Sequence, residues 1–219
     1  MRGHPLSWQL RRATQLLRNE GLLGLANGLA EYLRYRVFWR TRFVIMTTDT
    51  STYPAGLAAP PVEGLDVRIL HNEADVDRLV AEGYEDLRHV VKNTGRRLRH
   101  GAVGFCAFVD GAVAHVSWVA LNEHAKNGLS PIPCRVGFKE GEGYWGGSVT
   151  MRRFRNLGIY KHVMAMRLRY CHERGFDVLV DATEADNAAS LKAQDMYGPR
   201  VRSVCRYRRL LGWSQWCEE

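Results

Sequence analysis

No stretch of this 219-residue chain approaches the ~18–20 consecutive apolar residues that a membrane-spanning helix needs, so no transmembrane segment is expected. The five cysteines (Cys106, Cys134, Cys171, Cys205 and Cys217) are widely spread and form no CxxC pair. That pattern disfavours a disulfide framework or a zinc site and predicts a reducing cytoplasm. GK[ST], GxSxG and HExxH are all missing, and the eight histidines show no metal spacing, so no metal is expected. The start, MRGHPLSWQLRRATQLLRNEG, is basic but has no apolar h-region and no small-residue cleavage site, which argues against secretion. Internal repeats and low-complexity tracts are absent too. What remains is ordinary globular material. With 46% hydrophobic and 25% charged residues, disorder and fibrous classes are excluded, and the length suits one domain with an appendage.

The net charge of +8 is unevenly placed. Residues 1–42 hold eight arginines against Glu20 and Glu31, a balance of +6 that leaves about +2 for the other 177 residues. Arginine rather than lysine supplies nearly all of it. Leu6, Leu10, Ala13 and Leu17 predict a helix over 6–19, and Leu22, Ala26, Leu29, Leu33 and Val37 a second over 22–37. A strand follows at 42–50, then a Pro/Gly/Ala linker, STYPAGLAAPPVEG, over 51–64. The chain therefore divides into a basic helical extension with a strand (1–50), the linker (51–64) and a main domain (65–219). Basic charge beside an apolar stripe suits an interfacial helix on an anionic membrane surface. The competing reading packs the stripes on the domain or on a second copy, as in a homodimer. Nucleic acid is disfavoured as a partner.

Within the main domain the pattern predicts a strand at 65–70, one or two helices over 73–99, and a hairpin over 104–121 turning at Asp110-Gly111. Residues 122–134 read as loop, and CRVGF (134–138) and YWGGSVTM (144–151) as strands. A helix follows Gly158 and stops at Gly175. A strand at 176–183, a helix at 188–197 and a last strand at 201–211 complete the order. Gly141, Gly143 and Gly146 satisfy GxGxxG, but the strand pattern SVTM follows them where a dinucleotide fold needs a helix, so no Rossmann site is expected. The segment after SVTM is different. It is a strand, a basic turn (MRRFRNLGIY) and a helix whose N-terminal amides face an anion's natural position. The bland alternative is a plain turn with solvated arginines.

Arg155-Asn-Leu-Gly158-Ile-Tyr160 resembles the Q/R-x-x-G-x-G/A pyrophosphate loop of the GNAT superfamily of N-acetyltransferases. Asn187-Ala-Ala-Ser190, followed by Gly198, resembles its second signature. The resemblance covers about residues 65–211. It implies an α/β (α+β type) fold, acyl-CoA N-acyltransferase-like, with a mixed, mostly antiparallel sheet that splays open and is flanked by helices. It also implies acetyl-CoA or another acyl-CoA as co-substrate. The pantetheine arm would pair with the backbone at Val149, Thr150 and Met151, and the pyrophosphate would sit on the amides of Leu157, Gly158, Ile159 and Tyr160 beside Arg155. Asn187 would bind the arm, and Ser190 would cap the helix.

Three positions depart from the family pattern. Tyr160 is bulky where a small residue is usual, Asn156 stands where Gly is common, and Gln194 occupies the place of the frequent catalytic tyrosine. A carboxamide cannot protonate a leaving thiolate. Glu142 and Tyr144 are then the candidate proton carriers, against a reading as a solvated Gly-rich loop; His115 is a weaker one or a core histidine, Glu184 and Asp186 line the acceptor cleft or cap the next helix, and Tyr197 reads as packing. Trp118, Tyr144, Trp145 and a large loop at 122–148 would shape the acceptor site. The expected activity is transfer of a short acyl group to a primary amine of a small-molecule or protein acceptor by direct attack. A long-chain or carrier-protein-dependent acyltransferase at a membrane, or a non-catalytic module binding nucleic acid or lipid, are the readings left beside it. The expected location is the cytoplasm, with the membrane periphery as the variant.

Overall fold

Alternation of β-branched and aromatic residues around Asp110-Gly111 builds the centre of the sheet. β3 (Val103–Val109) and β4 (Ala112–Ala120) pair antiparallel from Val103↔Val119 to Val109↔Ala112. Asp110 and Gly111 take φ of 49° and 78°, the left-handed pair of a tight primed turn. Every residue of this hairpin except Asp110, Gly111 and Ala112 is buried, which explains two nearly unbroken apolar runs: the strands are covered on both faces. The computed structural model describes residues 38–52, 61–211 and 213–219. The helices expected at 6–19 and 22–37 lie outside the described residues.

Two compact units share the eight strands. The larger, 44–203, has the hydrogen-bonded order β2-β3-β4-β5-β6, formed by β2 (Leu65–Leu70), the central hairpin, β5 (Glu142–Thr150) and β6 (Val178–Glu184). It also holds residues 44–49 of β1 (Phe38–Asp49) and 200–203 of β7 (Arg200–Leu210). Its pairings are antiparallel except β5 with β6, which run parallel. Its helices are α1 (Glu73–Ala81), α2 (Leu87–Val90), α3 (Thr94–Arg99), α4 (Glu123–Leu129), α5 (Ile159–His172) and α6 (Ala188–Asp195). The smaller unit contains residues 38–43 and the antiparallel pair of β7 with β8 (Trp213–Glu218), registered from Cys205↔Glu218 to Leu210↔Trp213. Trp39, Phe43, Tyr207 and Trp216 gather there with ring centroids 5.0–6.3 Å apart.

Local chemistry explains where the structure departs from expectation. Residues 122–134 are not all loop: Asn122 Oδ1 accepts from Ala125 N–H at 2.9 Å and starts α4, a helix too short to show a period. CRVGF forms no strand. Pro131 and Pro133 remove ladder donors upstream, and Gly137 folds back so that its N–H donates to Glu142 Oε2 at 2.7 Å. The proposed large loop at 122–148 is thus a helix, a tethered turn and most of a strand. The region 73–99 holds three helices, broken at Gly83 (φ 94°) and at Asn93 (φ 63°). The last strand turns back at Leu211 (φ 48°) into β8, which the sequence pattern did not announce.

Opposite faces of the larger unit are dressed differently. Phe105, Val119, Trp145 and Leu179 share a core with Ile159, Val163, Met164 and Leu168 of α5. Each such buried apolar side chain contributes about 1.5–3 kcal/mol. On the other face lies Trp118, fully buried, directly across from Gly104. A Cβ on Gly104 would stand 2.9 Å from Trp118 Cζ3 and within 3.3 Å of two more ring atoms. Gly104→Ala is therefore expected to cost about 1–3 kcal/mol through overpacking against a ring with no room to retreat. Urea unfolding measures this, and a loss below about 0.5 kcal/mol would show that the indole is free to shift.

Candidate functional site

β5 and β6 begin as neighbours and then part. Their parallel pairing runs only over Glu142↔Val178, Gly143↔Leu179 and Tyr144↔Val180. On its other side β5 stays paired with β4, but Trp118↔Gly146 is followed by Val116↔Val149, so Ser117 alone faces Gly147 and Ser148. This is a β-bulge, which bends the strand carrying it. Gly147 has φ of 60°, a conformation that costs glycine nothing. Beyond the bulge Gly147, Ser148 and Val149 are exposed. Past Tyr144 the backbone of β5 is no longer paired with β6, which leaves strand edge open beside the bulge.

The strand leads on to a helix N-terminus. After β5 come a 3-10 turn (Arg152–Phe154), an extended Arg155, Asn156 at φ 63°, and Gly158 at φ 77° as the N-cap of α5. Asparagine tolerates the left-handed region better than most residues, which explains its presence where glycine is usual. No side chain caps α5, and its first intrahelical bond is His162 N–H to Gly158 O at 3.1 Å. The amides before it have no intrahelical partner. Leu157 and Gly158 are exposed, as are Arg152, Arg153 and Arg155, while Arg155 Nε donates to Thr150 O at 3.2 Å. Ile159 is buried in the core. Tyr160 turns its ring inward, 5.8 Å from His115, so its bulk does not cover the loop.

The interior wall is polar, and the sequence pattern had not marked most of it. Asp181 is buried and raised above the ordinary aspartate range by burial, against hydrogen bonds from Thr183 and Gln194. Gln194 Nε2 donates to Asp181 Oδ2 and Thr183 Oγ1 at 3.0 Å each, and to Ser190 Oγ at 3.2 Å. Arg167 is 1% exposed, lies 4.9 Å over the Trp145 ring, donates to Ser148 Oγ at 3.4 Å and hydrogen-bonds Tyr160. Its Nε has no partner, and burial lowers its pKa. A charge inside the apolar run FDVLVDAT, and an arginine four residues after Val163 on the buried stripe, were the available signals for these two.

The other candidates fall into distinct places. Tyr144 is buried, shares a hydrogen bond with Ser130, and has its pKa pushed up by burial, so the phenol keeps its proton. Its hydroxyl would lie 3.8 Å from a Cβ on Gly146. Glu142 accepts from Gly137 N–H and from the Arg202 guanidinium. Burial alone would raise its pKa, but these donors outweigh burial and hold the carboxyl below the ordinary glutamate range. Trp118 and Trp145 lie on opposite faces, because Trp118 pairs with Gly146 and Trp145 with Val119. Asn187, not Ser190, caps the second signature's helix: its Oδ1 accepts from Ser190 N–H at 3.1 Å. Tyr197 donates to Lys161 O at 2.8 Å. Glu184 is partly buried, and Asp186 is exposed. Among the described residues no group of His, Cys, Asp or Glu is arranged to hold a metal ion.

No protein-family profile matches the sequence, and no curated protein does. Solved structures do. A tandem GNAT protein from the clavulanic acid biosynthesis pathway matches over 87% of this chain and 58% of its own, with 18% identity and a TM-score of 0.51. A functionally unknown conserved protein from Staphylococcus epidermidis matches over 82% and 65%, at 9% identity and a TM-score of 0.52. A Drosophila protein matches over 86% and 58%, at 15% identity and a TM-score of 0.50. The chain spans between 58 and 65% of the length of these structures. At such identities the likeness establishes the fold: a GNAT-type, acyl-CoA N-acyltransferase-like mixed sheet, mostly antiparallel and flanked by helices.

His115 makes the site's interior sensitive to acid. Its Nδ1 is 2.8 Å from Thr150 Oγ1, its Nε2 has no partner, and burial, with Arg167 adding repulsion, pushes its pKa down to about 3. An unfolded chain protonates histidine near pH ~6.5. The folded protein therefore binds fewer protons between ~6.5 and about 3, so its stability is full above that window and falls as pH drops through it. Urea midpoints measured from pH ~7.5 to ~4.5 are expected to decline, and His115→Gln to decline less steeply. Equal slopes in the two proteins would mean the imidazole is protonated in the folded state.

Proposed function

We propose that this chain is an acyl-CoA-dependent N-acyltransferase that passes an acetyl or other short acyl group to a primary amine. One observation carries the reading: the parting of β5 from β6 after Tyr144↔Val180 leads straight to an uncapped α5 N-terminus behind left-handed Gly158. An extended amide-bearing arm joined to a pyrophosphate fits that shape. The arm would pair with backbone at Val149, Thr150 and Met151. The anion would rest on the amides of Leu157, Gly158, Ile159 and Tyr160, where the dipole and orphan donors converge, with Arg155 beside it. Asn187 Oδ1 is engaged in its cap, so this residue would offer its amide N–H to the arm, and Ser190 would support the same turn.

In this reading the amine nitrogen attacks the thioester carbonyl. A C–N bond forms, the C–S bond breaks, and the amine's proton ends on the departing thiol by way of water. Tyr144 supplies a fixed donor for the developing charge. Burial makes it a poor proton donor but keeps its O–H intact, which is what electrostatic stabilisation needs. Glu142 is already satisfied by Arg202 and Gly137 and would serve the site by anchoring the first residues of β5.

Gly158→Asp brings a carboxylate beside the anion's seat, its Cβ would stand 3.2 Å from Pro61 Cβ, and its φ of 77° penalises any side chain. CoA affinity by calorimetry is expected to fall tenfold or more, with ~1.4 kcal/mol lost per decade. A folded variant that binds CoA as wild type does would remove the loop from the site. Turnover gives a second check. Tyr144→Phe is expected to lower kcat by about 10²–10³, the usual cost of one lost oxyanion donor. Gln194→Ala, which removes the bonds to Asp181, Thr183 and Ser190 but no transferable proton, is expected to keep most activity. If thiol release is unaffected in Tyr144→Phe, the phenol has no part in the chemistry.

A further inference from the structure

Among the described residues Arg97 is a cation without a counterion. It lies in α3, and its guanidinium sits 5.3 Å over the ring of fully buried Trp118. Its Nη1 and Nη2 would stand 3.0 and 3.1 Å from a Cβ on Gly147, so the bulge glycine is what admits it. Its Nε is buried with no partner, and so is the indole N–H of Trp118 beneath it. Its ionisable neighbours are Arg96, which repels it, and the protonated Tyr144 phenol. Several other described arginines meet carboxylates, as in Arg68–Asp66, Arg88–Asp86, Arg99–Glu73 and Arg202–Glu142. Arg97 makes no such pair. Buried donors without acceptors, and a desolvated charge without its opposite, are states that a bound anion relieves.

The position also matters. Arg97 touches β5 at Gly147, where the strand has just parted from β6, and shares its face with Tyr144 and Trp118. A planar fork of donors beside a reaction centre suits a carboxylate held bidentately. We propose that Arg97 receives a carboxylate carried by one of the two reactants: either that of an amino-acid acceptor, or the distal carboxylate of a dicarboxylic acyl group. The assignment rests on the acyl-transfer reading for its choice of reactants, but the carboxylate site itself does not.

The test has two parts. First, acetate is titrated into the full chain while the guanidinium Nε–H resonance of Arg97, identified by its loss in Arg97→Gln, is followed by NMR. A saturable shift supports the site, and none overturns it, whether or not CoA binds. Second, thiol release is measured on two matched pairs: L-amino acids against their carboxamides with acetyl-CoA, and succinyl-CoA against acetyl-CoA with a neutral alkylamine. The wild type is expected to favour the carboxylate member of one pair at least tenfold in kcat/KM, and Arg97→Gln, its fold checked by circular dichroism, to lose that preference. The pair that responds identifies the source. Turnover with no preference in either pair, or a preference that survives Arg97→Gln, overturns the proposal while leaving acyl transfer intact. Failure of the wild type to bind CoA would instead sink the acyl-transfer reading, with the acetate titration still deciding the carboxylate site.

Discussion

The bulge at Gly147 and Ser148 is the constraint from which the candidate site follows. A parallel pair of strands would ordinarily continue until one of them ends. Here β5 carries one residue more than β4 opposite Ser117, and its pairing with β6 stops at Tyr144↔Val180. The extra residue turns the strand, exposes Gly147, Ser148 and Val149, and directs the chain towards Gly158 and the start of α5. The same glycine makes room for Arg97 on one face, and its neighbour Ser148 takes a hydrogen bond from Arg167. Bulges re-aim side chains in this way, and this one places two guanidiniums near one point of backbone.

Holding a strand edge open inside a sheet requires rigid surroundings. The central hairpin supplies this by being buried on both faces, with α5 packed on one side and Trp118 under α3 on the other. Several of the polar groups admitted are tied down. Asp181, Thr183 and Ser190 are bonded by the Gln194 amide N–H groups around the start of α6, and Glu142 ties the first residues of β5 to Gly137 and to Arg202 of β7. Among the described residues the buried side-chain atoms left unsatisfied are Arg97 Nε, Arg167 Nε, His115 Nε2, Ser117 Oγ, Gln194 Oε1 and the indole N–H donors of Trp118 and Trp145, on β4, on β5 and on α3, α5 and α6. Incomplete satisfaction in a native interior is where ligands and function are to be sought.

Much of the fold was legible in the sequence because it rests on local rules. Asp110-Gly111 demanded a tight turn, the period of Ile159, Val163 and Tyr170 demanded a helix, and Gly158 and Gly175 bounded it. The order of strands and helices from 65 to 210 followed from such signals, as did the basic strand–turn–helix at 149–175. Elements with little periodicity escaped. α4 has seven residues and depends on one cap from Asn122, while β8 depends on a turn at Leu211 and a partner strand. The composition break at 51–64 and the packing boundaries at 43/44 and 203/204 also fall at different places, since composition reports chain flexibility and packing reports contacts.

The site divides along the same line. Residue type and spacing alone placed a basic turn with Arg155 and Gly158 ahead of a helix, and the resemblance to the GNAT pattern singled out Gln194, Asn187 and Ser190, because each is a matter of neighbours in the chain. Tertiary structure decided everything that depends on distance across the sheet. It separated Trp118 from Trp145 onto opposite faces, gave Glu142 to Arg202, made Asn187 the cap in place of Ser190, and set Arg97 against Gly147 and Arg167 beside Ser148, within electrostatic reach of Asp181. A sequence fixes which groups a strand or helix carries. Only the register between strands, shifted here by one bulged residue, determines which of those groups meet.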